Sequence, residues 1–347
     1  MAELETPVLT IEQIREPENL RTVIDSMLAI PHLSPVNIFN EFAAPAPEPS
    51  QLGGDDLGEA GIFQIDADEK LYSLTIYADH RRLAVDPFVA AQILVAKAVR
   101  RLICYGAEPV SMSTFLNHVE FASPIAQEMV IAAKLGLDAA AQTFNLKSSQ
   151  RKIHYDYSTG NGFVPPTLIV SLFGKLKDRD QVMTQRFKTK GDNILLVGRS
   201  HNDVFASEYL DHYHEIKDWP LMHFNLSGEG RLGVAMKELI SRDLVVSAAP
   251  VGIGGLFFSL LRSSLPNNLG FDITTDAEIR SDAFLFGESM GRYIVTVTEE
   301  KENEFVDFLF ERKIPVMTLG HVTKGEIRID DQSFGFIDKG VVSEMED

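Results

Sequence analysis

The sequence predicts an α+β fold organised in two domains. Its 347 residues exceed what a single core of ordinary size requires, at about 150 residues per domain. Strand-like and helix-like segments alternate along the chain, and the last two predicted strands, 315–320 and 325–330, are spaced as an antiparallel hairpin. Antiparallel pairing of neighbouring segments favours α+β layers over a single parallel sheet.

Three regions follow from composition along the chain. We expect an N-terminal extension and loop in residues 1–50, an αβ domain in residues 51–190 and a C-terminal αβ domain in residues 191–347. The extension ends in AAPAPEP (43–49), whose prolines favour extended backbone. The domain boundary is placed at the charged turn 190–192, which precedes the apolar strand NILLVG (193–198).

Caps and apolar runs define the elements of the first domain. Aromatic and β-branched residues between Tyr72 and Tyr77 predict a strand. Asp86 followed by proline starts a largely apolar helix that Gly106 ends, and Ser123 followed by proline starts a second helix that runs to about Thr143. Two further strands are predicted at 109–117 and 166–176.

The second domain continues the alternation. Helical spacing predicts four helices, at 203–211, 230–243, 255–264 and 300–312. Short apolar runs predict five strands, at 269–274, 283–287, 293–298, 315–320 and 325–330.

Composition excludes several classes of function. No run of about 20 apolar residues is present, so we expect no membrane span. A net charge of −18 disfavours nucleic acid as a partner but allows a small phosphorylated ligand held locally by backbone N–H groups and a metal ion. The N-terminus lacks the pattern of a secretory signal, and the single cysteine, Cys104, cannot form an intrachain disulfide. Both features favour the cytoplasm.

Several blocks of sequence carry a resemblance to a known family. DPFVAAQILVAKAVRRLICYGAEPVSMSTFLN (86–117) resembles a family stretch with DPY, VAEAARNL and GAEPLA in that order. LGGDDLGEAGIFQI (52–65), FLFGESMGRYIVTV (284–297) and IPVMTLGHV (314–322) are similar to other family blocks in the same order. The chain thus resembles the second half of phosphoribosylformylglycinamidine synthase, in the aminoimidazole-ribonucleotide-synthase-like superfamily.

The resemblance implies both a fold and a chemistry. It implies an N-terminal αβ domain that contributes to a dimeric β-barrel, followed by a C-terminal αβ sandwich. It implies an ATP-dependent carbon–nitrogen ligase of purine biosynthesis with ATP and Mg²⁺ as cofactors. The expected partners are a second copy of the chain or a first-half synthase subunit, together with a glutaminase that supplies ammonia.

The glycine–acid segment in the first domain is the candidate metal and phosphate site. Gly53 and Gly54 allow close approach of the backbone to a phosphate, and Asp55 and Asp56 offer the oxygen ligands that Mg²⁺ prefers. A solvated turn is the competing interpretation of the same four residues.

A polar group after the first predicted strand is the candidate catalytic site. His80 is a candidate for proton transfer, and Arg81 is a candidate for a planar contact to phosphate. Asn117, at the end of the next strand, is a further candidate for nucleotide binding. The alternative is that Asp79 and Asp86 only cap local structure while the arginines are surface charges.

Candidate residues in the second domain come with a departure from the family. In SAAPVGIGGLFFSLL (247–261), Gly254 and Gly255 are retained and are expected to present free N–H groups to a nucleotide phosphate, whereas the family's acidic residues are absent. Glu288 is a candidate for nucleotide contact at the domain cleft, or alternatively an ion-pair partner of Arg292 across a turn.

Three hypotheses follow. The first is one subunit of a split or paralogous synthase that activates an amide with ATP. The second is a catalytically degenerate binding or scaffold paralogue, which the absence of acids in 247–256 favours. The third is an independent ATP-dependent enzyme that acts on another phosphorylated substrate.

Overall fold

The computed structural model describes most of the chain. The described residues are 9–35, 61–65, 70–120, 122–155, 164–177, 182–338 and 341–343. The predicted metal and phosphate segment, Gly53, Gly54, Asp55 and Asp56, lies outside them.

Helices and strands alternate as the α+β prediction requires. The helices are α1 (Leu20–Leu28), α2 (Arg81–Val85), α3 (Pro87–Cys104), α4 (Pro124–Thr143), α5 (Leu226–Ser241), α6 (Gly255–Ser264), α7 (Ser281–Phe286) and α8 (Glu299–Glu311). The first group of strands is β1 (Gly61–Ile65), β2 (Lys70–Asp79), β3 (Glu108–Val119), β4 (Lys147–Tyr155) and β5 (Thr167–Leu176). The second group is β6 (Asn193–Val197), β7 (Ser247–Pro250), β8 (Gly270–Ile273), β9 (Tyr293–Val297), β10 (Val316–Thr323), β11 (Glu326–Ile329), β12 (Gln332–Asp338) and β13 (Val341–Ser343).

The first sheet has five strands in the order β1-β2-β5-β3-β4. All its pairs are antiparallel except β3 with β4, which α4 connects. Helix α3 covers one face: its N-cap Asp86 accepts a hydrogen bond from Val89 N at 3.0 Å, and Pro87 occupies the first turn. In the described part of the chain this sheet stays open and does not close into a barrel.

The second sheet has eight strands in the order β13-β12-β11-β8-β10-β6-β9-β7. Its only parallel pair within the described residues is β8 with β11. Phenylalanines fill the core between this sheet and its helices, among them the fully buried Phe257, Phe258, Phe271 and Phe286. The mixed sheets confirm the α+β class.

Two predicted elements and one predicted pairing of the second domain differ from the structure. Strands 315–320 and 325–330, expected to form an antiparallel hairpin, correspond to β10 and β11, which do not pair with each other because β8 lies between them. Residues 283–287, predicted as a strand, form most of α7, because a short apolar run fits a buried helix as well as a strand. Residues 203–211, predicted as a helix, begin as a loop, and only their end overlaps a short π-helix at Tyr209–Tyr213. Asp203 accepts hydrogen bonds from Phe205 N at 2.8 Å and His223 N at 3.0 Å, and Ala206 has φ +51°, which interrupts helical backbone.

Some strands were not predicted at all. The polar edge strand β4 is exposed along almost its whole length, so its sequence carries no apolar alternation to find. The strands β7 and β13 have only four and three residues and lie at the two ends of the sheet, and β12 lies next to β13.

The other predicted helices agree with the structure, whereas no predicted helix corresponds to α2. Helices α5, α6 and α8 occur within a few residues of their expected bounds, and Ser123 caps α4 as expected, accepting from Ala126 N at 3.3 Å. None of the helices among the described residues has the length and apolar character that crossing a membrane would require.

Candidate functional site

A buried carboxylate joins the two halves of the molecule. Glu288 is 5% exposed and lies in the loop between α7 and β9. Its Oε1 accepts hydrogen bonds from Glu208 N at 3.0 Å and Gly254 N at 3.1 Å, and its Oε2 accepts from Arg82 Nη2 at 3.3 Å. Three donors from separate segments therefore converge on one side chain, and we call this group and its ion-pair partners the Glu288 junction.

Arg82 links the first sheet to the junction. Its Nη1 donates to Asp79 Oδ2 at 2.8 Å, and its Nη2 also donates to Ala206 O. Burial disfavours the charged guanidinium, but Asp79 and Glu288 outweigh burial and raise the pKa of Arg82. The alternative that Arg82 is a surface charge is wrong, since only 8% of its side chain is exposed.

Arg81 belongs to the edge of the same junction. Its Nη2 donates to Glu208 Oε1 at 2.9 Å, and its Nη1 pairs with Asp211. His32 and His212 approach Glu208 Oε2 at 3.4 Å and 3.0 Å. Burial raises the pKa of Glu208, but Arg81 ahead of the two histidines outweighs burial and lowers it. The contact of Arg81 with a phosphate stays a prediction, because the guanidinium nitrogens are paired with Glu208 and Asp211.

The capping interpretation of Asp79 is confirmed alongside its ion pair. Asp79 Oδ1 accepts from Arg82 N at 3.0 Å, which starts α2. Burial raises the pKa of Asp79, and Arg82 and Lys97 together outweigh it and lower the pKa. One carboxylate thus orders the helix start and holds the guanidinium that reaches Glu288.

His80 and Asn117 lie near this end of the first sheet but outside the junction. The register pairs Asp79 with Leu168 and Asn117 with Thr167, so β2 and β3 end at the same edge of the sheet with β5 between them. His80 is the exposed N-cap residue of α2, and its side chain makes no capping hydrogen bond. The catalytic role of His80 and the nucleotide-binding role of Asn117 stay predictions.

The glycine turn before α6 has its N–H groups already in use. Gly254 N donates to Glu288 and Gly255 N donates to Gly252 O at 3.0 Å, so the expectation that these two groups are free is wrong. Their φ angles of +80° and +77° favour glycine. A Cβ on Gly255 would lie 2.6 Å from Leu285 O, so the close approach of α6 to α7 requires glycine there. Nucleotide binding at Gly254 and Gly255 stays a prediction.

Arg292 does not pair with Glu288, which corrects the structural alternative for that turn. It is fully buried and donates to Gly287 O at 2.6 Å, Ser289 O at 3.1 Å and Ser200 Oγ at 3.1 Å. Burial ahead of Arg100 lowers the pKa of Arg292 to about 9. It therefore holds the loop that carries Glu288.

A polar pocket lies beside the Glu288 junction, and the sequence patterns did not identify it. Four cations line it from α3 and α6: Lys97, Arg100, Arg101 and Arg262. Tyr77, Gln185 and the Gly252–Ile253 turn complete the lining. The usable signal was the spacing of 97, 100 and 101, since i, i+3 and i+4 share one face of a helix that is otherwise apolar.

The described residues offer no metal centre. Within the ranges given above, no group of three or more His, Cys, Asp or Glu side chains is placed to hold an ion. The predicted Mg²⁺ ligands, Asp55 and Asp56, fall outside the described residues, so the magnesium site stays a prediction.

His212 and His214 contact different neighbours, and Cys104 is buried. His212 contacts Glu208, whereas His214 Nε2 lies 2.9 Å from Tyr209 Oη, so the two rings serve different neighbours. Cys104 is buried, and burial raises the pKa of its thiol to about 12.

One family model matches the second-domain part of the chain. Residues 189–331 match the family described as AIR synthase related protein, C-terminal domain. These residues contain the Gly254–Gly255 turn and Glu288.

Individual proteins similar to this chain are found by both sequence and structure. Phosphoribosylformylglycinamidine synthase subunit PurL of Alkaliphilus metalliredigens is 28% identical over 331 residues, which is 95% of this chain and 44% of that protein. Thermotoga maritima PurL complexed with FGAR has a TM-score of 0.71 at 15% identity, covering 96% of this chain and 55% of that one. Thermotoga maritima PurL complexed with ATP has a TM-score of 0.68 at 15% identity, covering 96% and 54%.

These comparisons confirm the resemblance found in the sequence: the chain is similar to PurL over most of its length. It spans less than half the length of the curated relatives it matches.

Proposed function

We propose that this chain is a PurL-related protein of purine biosynthesis that binds ATP as one subunit of a split synthase. The observation that supports this most is similarity to PurL in both sequence and fold across at least 95% of the chain. The solved PurL structures with that fold include complexes with FGAR and with ATP. In this proposal ATP supplies the phosphoryl group that activates an amide oxygen, and a glutaminase supplies ammonia.

The residues proposed for the site come from both domains. We place the domain boundary near residue 191, between the two sheets, and the ligand cleft at the Glu288 junction. Glu288, Arg81, Gly254 and Gly255 lie on the second-domain side of that cleft or reach it, and His80 and Asn117 lie at the adjoining end of the first sheet. Asp55 and Asp56 are proposed as the acids for a metal-bound phosphate, next to Gly53 and Gly54.

The proposed assembly uses the open face of the first sheet. That face carries Leu74, Ile76, Phe115, Ile169 and Phe173, and no helix covers it in the described part of the chain. A second copy or a first-half subunit would close the sheet into a barrel. We propose that the assembly acts in the cytoplasm.

Titration with Mg-ATP tests nucleotide binding. A ligand specific for the folded state raises the melting temperature in a concentration-dependent way. We expect such a shift, and release of ADP when the neighbouring subunit, glutamine and the amide substrate are added. The double variant Asp55→Asn, Asp56→Asn should lose the shift, whereas the exposed-helix control Glu304→Gln should keep it.

A scaffold without ATP chemistry is the second candidate. It is favoured by one observation: the N–H groups of Gly254 and Gly255 and the carboxylate of Glu288 are satisfied within the protein. Absence of any ATP-dependent shift, alone and with the neighbouring subunit, would establish this candidate instead.

A further inference from the structure

The pocket beside the Glu288 junction is lined by positive charges, whereas the protein as a whole is negatively charged. Lys97, Arg100, Arg101 and Arg262 line it, and no Asp or Glu of the described residues does. The whole chain carries a net charge of −18, so four cations around one small space mark a local reversal.

Two of these cations have unused hydrogen-bonding capacity. Arg100 is 2% exposed, and its Nε and Nη1 have no hydrogen-bond partner. The carboxylate of Glu229 is 3.5 Å from Nη1, close enough for an ion pair but too far for a good hydrogen bond, and Nη2 contacts Met290 Sδ at 3.2 Å. Lys97 has no hydrogen bond or ion pair with any described residue. The two unsatisfied nitrogens of Arg100 are buried, and buried donors left unsatisfied are costly, so this arrangement fits a site that a ligand completes.

The other two cations hold the walls of the pocket. Arg262 Nη1 donates to Ile253 O at 2.8 Å, which fixes the turn, and Arg101 Nε donates to Tyr77 Oη at 3.0 Å. The cavity volume is about 30 Å³, which admits the oxygens of one compact oxyanion but not a nucleoside.

We propose that this pocket is an oxyanion site that holds a phosphate group directly through Lys97 and Arg100, without a divalent metal. Arg262 and Arg101 position the turn and the tyrosine around it. The site goes beyond nucleotide turnover, since it binds whether or not the chain hydrolyses ATP.

The charge state of Lys97 supports this assignment. Burial ahead of Arg82 lowers the pKa of Lys97 to about 8, although Glu288 and Asp79 act in the opposite direction, and Arg100 lowers it further. Tyr77, Arg101 and Arg262 are the remaining titratable or charged groups that line the pocket. An anion in the pocket would offset the burial and the like charges, so binding between pH 8 and 9 should be accompanied by proton uptake.

The test measures binding of inorganic phosphate to the full chain in EDTA, by thermal shift and calorimetry. We expect phosphate to stabilise the protein without added metal, and Lys97→Gln to weaken binding by at least about tenfold, the equivalent of one charge-assisted hydrogen bond. Lys97→Arg should retain binding. Lys134→Gln, an exposed lysine on α4, is the matched control and should bind as the wild type does.

Sulfate serves for proton counting, because it does not titrate in this range. Calorimetry at pH 8.5 in two buffers of different ionisation enthalpy should show proton uptake with the wild type and none with Lys97→Gln. Equal phosphate binding by Lys97→Gln and the wild type, no binding by a folded wild type, or binding that requires Mg²⁺ would each overturn the proposal. Loss of the ATP effect with phosphate binding retained would reject the proposed function alone.

Discussion

Single residues hold the two halves together at the Glu288 junction. One buried carboxylate accepts from Arg82 and from two backbone N–H groups of different loops. Removing it leaves two buried N–H donors without their acceptor and takes one of two carboxylate partners from the buried Arg82, which keeps Asp79. Removing one partner of a buried ion pair destabilises a protein by more than the intact pair stabilises it, because the groups left behind stay buried without their partner.

Glu288→Ala is therefore expected to reduce the free energy of unfolding by about 3 kcal/mol, the scale of a broken buried ion pair. Glu288→Gln should cost less, since its amide oxygen can still accept from Glu208 N and Gly254 N. Denaturant unfolding measures both. Glu304→Gln, exposed on α8, is the control and should change stability by less than about 0.5 kcal/mol. A similar small change for Glu288→Ala would contradict the role of this carboxylate.

The contribution of Lys97 to the free energy of unfolding is predicted to change with pH. Its pKa of about 8 in the folded protein lies below the 10.5 of an ordinary lysine. The unfolded chain therefore binds more protons between these two values, and this residue's contribution to stability rises with pH across that window. Below pH 8 the charged ammonium destabilises the fold.

Replacing Lys97 by Met should then stabilise the protein by about 1–3 kcal/mol at pH 7, following roughly 1.4 kcal/mol per pKa unit. The advantage over wild type should shrink between pH 8 and pH 10.5. Urea unfolding at pH 7, 9 and 10.5 checks this. An advantage that stays constant with pH would show that packing, and not the charge, causes it.

At the scale of elements, the close packing of α4 on α3 depends on one glycine. A Cβ on Gly136 would lie 2.2 Å from Phe88 O and 3.0 Å from Ala91 Cβ. In an exposed helix, glycine to alanine would gain about 1 kcal/mol from helix propensity. Here the clash of the added Cβ with the Phe88 backbone outweighs that gain, so the substitution should lower stability.

Gly136→Ala is therefore expected to destabilise the protein by at least about 2 kcal/mol, the cost of forcing the two helices apart. Thermal or denaturant unfolding measures it. Lys134→Ala lies on the same helix with an exposed side chain and should be neutral or slightly stabilising. If both variants stabilise, the helices are not packed as closely as described.

The elements also show what sequence can and cannot predict. Asp86, Ser123 and Gly106 fixed the ends of α3 and α4 correctly, because caps act through neighbouring backbone groups. The helix at 281–286 was missed because burial on all sides removes the periodicity that distinguishes it from a strand.

The candidate site was only partly accessible to the same reasoning. Arg81 was identified from its place after a predicted strand, and Glu288 lies in a block that resembles the family. The structure brings both to the junction. Lys97, Arg100 and Arg262 were not identified as a pocket. Two of these residues come from one helix and the third from a segment more than 150 residues away, so only tertiary packing places them together.

At the scale of the whole molecule, the first sheet presents one covered and one open face. Tyr77 faces α3 and contacts Arg101, whereas its neighbour Ile76 points to the other side and is 59% exposed. Leu74 and Ile76 on β2 share that open face with Ile169 and Phe173 on the adjacent strand. Apolar side chains clustered on a free sheet face are typical of a surface that pairs with another chain.

Ile76→Glu is therefore expected to disrupt the proposed sheet-to-sheet assembly, because a carboxylate buried in an apolar interface is strongly disfavoured. Sedimentation velocity should show a dimer for the wild type, or a complex when the first-half subunit is supplied, and a monomer for the variant. Ile131→Glu is the matched control, since Ile131 is also 59% exposed but lies on α4. Dissociation by both variants, or by neither, would place the assembly surface elsewhere on the molecule.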